Sequence, residues 1–268
     1  MRFAGKGTPL VQADLLAALD RLGLDPTADL PALEAVLAVE SRGFGFLPDR
    51  RPKVLFERHI FHRETSGRFA AVAPDLSAKA GGGYVGGAGE YDRLARALTL
   101  CRDAGLGEEP ALRSASWGLG QVMGFNAKVS GYASAADMVR RMCESEAAQL
   151  AGMAGFIRSE GLDARLRTRD WAGFARRYNG SNYWKHQYDV RLKAAFERFA
   201  GGVSRDFRTR AAQGALLYLG HNPGEPDGIL GQNTRRAIAV FRRAEGLGRG
   251  ETLDDAIHAA IMKKAGLG

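Results

Sequence analysis

Cysteine is scarce in this 268-residue chain, and long apolar runs are missing. The two cysteines, Cys101 and Cys143, form no Cys-x-x-Cys pair, which excludes a disulfide framework and a zinc knuckle, although one bridge between them stays open. No apolar run is long enough to cross a bilayer, so we expect no stable membrane insertion. The N-terminal sequence lacks the apolar region typical of a signal peptide, so we expect synthesis in the cytoplasm.

Motifs of several enzyme classes are also missing. The sequence contains no P-loop, no dinucleotide fingerprint and no nucleophile elbow of a serine-histidine-aspartate enzyme. His59 and His62 lie close to Glu57, but their spacing is not that of a His-Glu-x-x-His zinc motif, and a third ligand is not evident. We therefore predict that the protein needs no metal and no other cofactor.

Basic residues outnumber acidic ones by 38 to 30, which gives a net charge of +8. A basic surface favours anionic partners such as nucleic acid, anionic lipid or acidic cell-wall polymers. The charges are spread along the chain rather than gathered in runs, so we do not expect a dedicated nucleic-acid-binding arm.

Helical periodicity dominates residues 1–200. Within this part, the pattern predicts one long helix over residues 134–159 and the start of a buried helix over residues 114–123. Residues 52–72 contain short apolar runs that predict a strand or a small hairpin. Residues 80–89 hold six glycines, and they are predicted to form either a linker or a mobile wall of a cleft.

A composition break divides the chain near its C-terminal quarter. Residues 200–206 are rich in glycine and polar residues and indicate a linker. Residues 207–268 then predict three helices around a modest core. The sequence thus favours two domains, at residues 1–200 and 207–268.

One acidic residue stands out on an apolar helix face. Leu33, Val36, Leu37 and Glu40 follow helical spacing, so they share one side of a helix. An ionised acid is costly on such a face, and its pKa should therefore rise. A carboxylic acid that stays protonated near neutral pH is what a general acid requires. The alternative is an ordinary glutamate that reaches solvent at a helix end.

Three short segments in order resemble a known superfamily. They are Glu40-Ser41, the Ser-Trp-Gly-Leu-Gly-Gln-Val-Met run of residues 116–123, and Tyr178-Asn179-Gly180. This set is similar to the lysozyme-like superfamily, which includes goose-type lysozymes and soluble lytic transglycosylases. Residues 39–69, which read VESRGFGFLPDRRPKVLFERHIFHRETSGRF, more closely resemble the N-acetylmuramidase domain of phage endolysins. The resemblance implies a mainly α fold, with a lysozyme-like helical catalytic domain over residues 1–200 and a small β-hairpin region.

The C-terminal part is similar to the small peptidoglycan-binding domain found on many wall hydrolases. The matching residues are Gln213, Leu216, Leu219-Gly220, Asp227-Gly228-Ile229-Leu230-Gly231, Thr234, Ala237, Ile238 and Phe241. Arg242 stands where that family usually has glutamine. The resemblance implies a three-helix peptidoglycan-binding bundle over residues 207–268, in which Asp227, Gly228, Gly231 and Thr234 belong to the binding module.

The resemblance also implies an activity. A protein of this kind is an endolysin that hydrolyses the β-1,4 bond between N-acetylmuramic acid and N-acetylglucosamine in bacterial peptidoglycan and thereby lyses the cell. Glu40 is then the general acid. The residues implied to bind substrate are Ser41, Ser116, Gly118, Gln121, Met123, Tyr178 and Asn179.

The second catalytic carboxylate is less well defined. Glu57 is the best candidate because it too lies in an apolar run, Leu-Phe-Glu-Arg-His. A salt bridge with Arg58 or Arg63 is an equally weighted role for it. Asp49 and Glu64 are weaker candidates.

Three other functions stay open. A lytic transglycosylase shares the fold but forms 1,6-anhydro-muramic acid products, and a non-catalytic wall-binding or phage structural protein could keep the fold without activity. A basic nucleic-acid binder ranks third. For the leading hypothesis, we expect a monomer that is released to the wall, in the periplasm, by a holin-type membrane-permeabilising partner.

Overall fold

The computed structural model describes residues 2–40, 43–202 and 205–268. Within these residues the chain is mostly helical and has one small antiparallel sheet, which confirms the mainly α fold. The first elements are α1 (Gln12–Leu22), α2 (Leu30–Glu40), β1 (Val54–Phe56), α3 (Arg58–Glu64), α4 (Gly89–Asp103) and α5 (Glu109–Arg113). The next are β2 (Ala115–Trp117), β3 (Val122–Met123), α6 (Ala135–Glu144), α7 (Glu146–Ser159), α8 (Leu162–Thr168), α9 (Trp171–Tyr178) and α10 (Tyr188–Ala200). The C-terminal bundle consists of α11 (Phe207–Tyr218), α12 (Gln232–Ala244) and α13 (Asp255–Lys264).

Helix α2 lies inside the main hydrophobic core. The predicted apolar face is confirmed, because Leu33, Val36 and Leu37 are buried. Ala32 and Ala35, on other sides of the helix, are fully buried as well. A helix with buried residues on several sides is surrounded by protein. The position of Glu40, the last residue of α2, is therefore set by packing along the whole helix.

The three-stranded sheet is built from residues that are distant in sequence. Val54 of β1 pairs with Trp117 of β2, so the predicted strand near residue 54 is present but does not fold back on itself. The prediction of a helix start at residues 114–123 is wrong, because β2 and β3 form a hairpin there. Gly118 and Gln121 adopt positive φ angles of 67° and 47°, which turn the chain instead of continuing a helix.

The predicted long helix over residues 134–159 is interrupted at Ser145. Ser145 is extended, with φ −157° and ψ 154°, and its hydroxyl accepts the Ala148 N–H to cap α7. The N-terminal segment causes the break, because Thr8 N–H donates to Glu144 O and Glu146 N–H donates to Thr8 O, each at 2.9 Å. The prediction of a single helix is therefore wrong, because a tertiary contact with Thr8 interrupts it.

The C-terminal bundle has a hydrophobic cluster of its own, which includes Leu216, Ile238, Phe241 and Ile261. Buried contacts also join the bundle to the rest of the chain, as described below. The predicted boundaries of the two domains, 1–200 and 207–268, stay predictions.

Cys101 and Cys143 are both free and buried. Burial raises the pKa of Cys101 to about 11 and that of Cys143 to about 12. In the described part of the chain, no helix combines the length and the apolar character that crossing a membrane requires. Nor do three or more histidine, cysteine or acidic residues of that part gather as a metal site.

Candidate active site

A cavity of about 510 Å³ opens where α2, the hairpin and α9 meet. Its lining comes from several elements: Glu40, Leu47, Lys53, Val54, Leu55, Gly86, Gly87, Ser116, Gly118, Gly120, Gln121, Tyr178, Asn179 and Tyr188. Glu40 is the one acidic residue among these described lining residues. Glu40 is therefore the carboxyl group that the described lining offers to a bound molecule.

The two oxygens of Glu40 have different environments. Asn179 Nδ2 donates to Oε2 at 2.9 Å, whereas Oε1 has no hydrogen-bond partner among the described residues. Burial raises the pKa of Glu40 to about 7, against the smaller opposing effects of the Asn179 hydrogen bond and the positive charge of Arg191. Because Oε2 is an acceptor, we infer that the proton of the neutral acid is on Oε1.

Helix α9 brings Tyr178 and Asn179 to the cavity. Asp170 caps the helix by accepting the Gly173 N–H at 2.9 Å, and Phe174 is buried in the core. The Tyr178 ring stacks on Phe174, with ring centroids 5.3 Å apart. Its hydroxyl donates to Gly120 O at 2.7 Å, so it ties α9 to the hairpin. Burial raises the pKa of Tyr178 well above its ordinary value, so the hydroxyl keeps its proton.

Side-chain hydrogen bonds hold the turn of the hairpin. Ser116 Oγ donates to Gln121 Oε1 at 2.9 Å, and Gln121 Nε2 donates to Gly118 O at 2.9 Å. A side chain at Gly118 would place its Cβ 2.6 Å from Gln149 Cδ, so the turn needs glycine there. These bonds fix the hairpin wall of the cavity.

The structure brings together most of the residues predicted to bind substrate. Those that line the cavity are Ser116, Gly118, Gln121, Tyr178 and Asn179. Met123 instead lies in β3, paired with Ser116, and is not a lining residue. Ser41 lies outside the described residues.

Glu57 lies just after β1 and is not among the lining residues. The Tyr84 hydroxyl is within hydrogen-bond distance of both its oxygens, at 3.1 and 2.9 Å, and His59 Nδ1 lies 3.2 Å from Oε2. Arg58 and Arg63 bind elsewhere: Arg58 donates to backbone carbonyls of the glycine-rich loop, and Arg63 pairs with a neighbouring acid.

The two weaker candidates for a second carboxylate are held in ion pairs. Asp49 pairs with Arg51 at 2.7 Å, and Glu64 pairs with Arg113 at 2.6 Å. Neither is a lining residue. These contacts give both acids structural partners outside the cavity.

Several lining residues were not identified from the sequence. Lys53 lies within the resembling run of residues 39–69 but was not singled out there, and Tyr188 belongs to no motif that we recognised. They reach the cavity from the residue before β1 and from α10. The glycine-rich loop did carry a signal, since it was predicted as a linker or a cleft wall, and Gly86 and Gly87 line the cavity.

In the bundle, the predicted module residues form a hydrogen-bonded network. Gln213 Nε2 donates to Asp227 Oδ1 at 3.1 Å and to Thr234 Oγ1 at 3.0 Å, and Gln213 Oε1 accepts the Gly228 N–H at 2.9 Å. Gly231 directly precedes α12. These contacts order the loop between α11 and α12.

A separate cavity of about 430 Å³ in the bundle is lined by Phe241, Glu245, Leu247, Ala260, Lys263 and Lys264.

The family model of N-acetylmuramidase matches residues 29–200, which is more than half of the chain. The chain belongs to the N-acetylmuramidase family. The model of a peptidoglycan binding domain matches residues 208–248. The protein is thus a peptidoglycan-degrading enzyme with a peptidoglycan-binding domain.

The muramidase is also similar to a solved structure, that of the endolysin of Burkholderia phage AP3. The two chains are 42% identical, the match covers 74% of this chain and 73% of that chain, and the TM-score is 0.66. None of the curated proteins matches the muramidase. The likeness to the phage endolysin confirms the resemblance inferred from the sequence.

Proposed function

We propose that the muramidase is a phage endolysin that hydrolyses the β-1,4 bond between N-acetylmuramic acid and N-acetylglucosamine and so lyses the bacterium. The observation that carries this proposal is Glu40, a buried acid that lines the cavity, has a pKa of about 7 and leaves its buried Oε1 without a hydrogen-bond partner among the described residues. Membership of the muramidase family supports the choice of substrate.

Glu40 has the properties of the acid in this reaction. Glycoside hydrolysis requires a proton on the leaving oxygen as an oxocarbenium-like transition state forms. Asn179 occupies Oε2 and holds the carboxyl group in one orientation, so the proton to be delivered is the one on Oε1. After the transfer, the Asn179 hydrogen bond and the charge of Arg191 stabilise the carboxylate.

For hydrolysis, Glu57 stays our proposed second carboxylate. A retaining enzyme has its two carboxyl groups roughly 5–5.5 Å apart, whereas an inverting enzyme leaves about 6.5–9.5 Å for an attacking water. Glu57→Gln tests this role on purified sacculi, with Glu64→Gln as the comparison. Loss of activity in Glu57→Gln but not in Glu64→Gln would support this role. Wild-type activity in both variants would contradict it.

A lytic transglycosylase is the second candidate, and one observation favours it. Glu40 is the single acid among the described lining residues, and that reaction can use one carboxyl group as acid and then as base. The 6-hydroxyl of the muramic acid would then attack its own anomeric carbon, and the Glu40 carboxylate would take the hydroxyl proton. The product would be a 1,6-anhydro ring.

Mass spectrometry of digested sacculi separates these functions. A hydrolase adds water and leaves reducing muramic acid ends, whereas a transglycosylase leaves products lighter by one water. We expect reducing ends. Anhydro ends would replace the hydrolase with the transglycosylase, and the absence of any released fragment would favour a non-catalytic wall-binding protein.

The proposal includes release of the enzyme to the wall in the periplasm by a holin-type partner, and a monomeric state. The net charge of +8 supports accumulation on anionic envelopes. Expression of the enzyme in a bacterial host with and without a holin tests release, since lysis should need both proteins. Light scattering of the purified enzyme tests the monomer.

A further inference from the structure

A buried ion pair joins the bundle to the rest of the muramidase. Arg210 of α11 and Glu146 at the start of α7 are 1% and 0% exposed. Arg210 Nη1 lies 2.5 Å from Glu146 Oε2, and Nη2 lies 2.8 Å from Oε1. A two-point contact of this kind fixes both the distance and the orientation of its partners.

The same two side chains hold the segment that follows Glu40. Arg210 Nε and Nη2 donate to Gly43 O at 3.1 and 2.6 Å. Glu146 Oε1 accepts the Gly45 N–H at 2.7 Å, and Oε2 accepts the Leu10 N–H at 2.9 Å. The backbone at Gly43 and Gly45 is therefore hydrogen-bonded to a guanidinium of the bundle and to the carboxylate that this guanidinium neutralises.

Packing reinforces these bonds. Phe44 lies against Gly214 of α11 so closely that a Cβ on Gly214 would be 2.5 Å from Phe44 Cζ. The rings of Phe44 and Tyr218 are 5.8 Å apart, and the Tyr218 hydroxyl donates to Gly7 O at 2.8 Å. The bundle thus buries one side of the segment over residues 43–46.

We propose that Arg210 is a positioning residue for the catalytic acid, so that the peptidoglycan-binding bundle supports Glu40 as well as holding the enzyme on the wall. Arg210 touches neither the cavity nor the carboxyl group of Glu40, and it acts through Gly43, three residues further along the chain. This inference rests on the proposed function, because it concerns the residue that donates the proton.

A bundle that only tethers the enzyme would affect encounter with the wall but not turnover of a short soluble substrate. A bundle that positions Glu40 would affect turnover of any substrate. A displacement of about 1 Å in a reacting group can cost about a hundredfold in rate. Turnover of a short soluble substrate therefore separates the two roles.

The test uses the full-length protein and soluble, peptide-free oligosaccharides of alternating N-acetylglucosamine and N-acetylmuramic acid. The main variant combines Arg210→Met with Glu146→Gln, because removing one partner alone would leave a buried charge uncompensated. The control is Arg208→Ala, on the same helix, where Arg208 pairs at the surface with Asp255. We expect kcat of the double variant to fall about tenfold or more with little change in KM. Arg208→Ala should stay within about twofold of wild type.

The pH profile distinguishes a displaced acid from a smaller folded fraction. Because stability itself depends on pH, activity at each pH is divided by the folded fraction that circular dichroism gives at that pH. The corrected profile of a variant that is only less stable keeps the wild-type shape, whereas a displaced and hydrated Glu40 loses its proton at lower pH. Among the described residues, Tyr178 of α9 and Arg191 of α10 interact electrostatically with Glu40, and Lys53 and Tyr188 are the other charged or titratable residues that line the cavity. The variants leave all four in place. The basic limb should therefore move to lower pH in the double variant only.

Should the double variant not fold, Arg210→Lys replaces it, because lysine keeps the charge near Glu146 but cannot reproduce the forked contact with Gly43 O. A folded variant of either kind with the kcat and pH profile of wild type would overturn the inference. Failure of the wild-type enzyme to release products from any glycan would instead overturn the proposed function. The two failures are thus distinguishable.

Discussion

Glu40 is an acid that the fold keeps away from water. It ends a helix whose other residues are almost all buried, so ionisation would place a charge beside the core. Burial outweighs the hydrogen bond from Asn179 and the charge of Arg191, and the pKa of Glu40 rises to about 7. At that pKa a substantial fraction of the enzyme holds a transferable proton near neutral pH.

The raised pKa also predicts how stability depends on pH. The pKa of Glu40 is about 7 in the folded chain and 4.5 in an ordinary environment, so the folded state binds the proton more tightly. Stability therefore falls as pH rises between these values, by about 3 kcal/mol at most. Glu40→Gln should be more stable than wild type at about pH 8 and similar to it at about pH 4.5.

Denaturant unfolding at the two pH values tests this prediction. Glu197→Gln is the control, because Glu197 is exposed and pairs only weakly with Lys193. It should change the free energy of unfolding little at either pH. A Glu40→Gln effect of equal size at both pH values would show that the carboxyl group titrates normally.

Asn179 gives a second test of how its neighbours set the pKa of Glu40. Its hydrogen bond to Oε2 lowers the pKa of Glu40, so Asn179→Leu should raise that pKa further and move the basic limb of the pH–rate profile to higher pH. The maximum rate should fall because the carboxyl group loses its fixed orientation. Asn182→Leu is the matched control, since Asn182 is exposed and close in sequence. Movement of the limb to lower pH would contradict this account.

At the scale of elements, sequence patterns predicted what is local. The apolar spacing of Leu33, Val36 and Leu37 predicted α2 and the odd placement of Glu40, and both are observed. The short apolar run around Trp117 was misread as helical, because a run of this length does not distinguish a helix from a strand. The break at Ser145 arises from pairing with Thr8, a tertiary contact that no local pattern reports.

The residues of the site fall into the same two groups, those that a local motif reveals and those that only the tertiary structure reveals. Glu40, Tyr178 and Asn179 were found because they belong to short motifs, and the structure places them around one cavity. Tyr188 was missed because α10 carries no such motif, and Lys53 because nothing in the run of residues 39–69 set it apart from its neighbours. The contact between Arg210 and Gly43 could not be predicted from local patterns either, since it joins residues far apart in sequence.

The hairpin turn gives a prediction for an element. At Gly118, alanine would have to adopt a positive φ and would also approach Gln149, which is held by hydrogen bonds to Leu119 N–H and Met142 O. At Gly107, φ is 70° and nothing lies within 4 Å, so only the backbone cost applies. We expect Gly118→Ala to lower the free energy of unfolding by about 2–4 kcal/mol and Gly107→Ala by about 1 kcal/mol. Denaturant unfolding of both variants measures the difference, and equal losses would show that Gln149 moves aside.

For the whole molecule, charge and the bundle act together. In the proposed function, the net charge of +8 draws the enzyme to an anionic wall, and the bundle holds it there while glycan is cleaved in the cavity. The ion pair of Arg210 with Glu146 makes the bundle part of one structure with the catalytic segment. A bundle joined by a flexible linker alone would not transmit any change to Glu40.

Salt dependence tests the contribution of charge. Exposed charges are screened over about 10 Å at 0.1 M salt and about 3 Å at 1 M, so wall binding should weaken severalfold as salt rises. Co-sedimentation with purified sacculi at low and high salt measures binding. Turnover of the soluble oligosaccharides should change less, because the charge of the enzyme adds little to their encounter. Wall binding that is independent of salt would show that net charge has no part in it.

The most direct test of Glu40 as the general acid is the rate at which Glu40→Gln releases fragments from purified sacculi, measured beside wild type. Glutamine is close in shape to glutamic acid and can keep the contact with Asn179, but its amide has no acidic proton to transfer. Proton transfer by a positioned side chain contributes about 10²–10⁴-fold to rate, so we expect a loss of at least about a hundredfold. A folded Glu40→Gln enzyme that digests sacculi as fast as wild type would contradict the account.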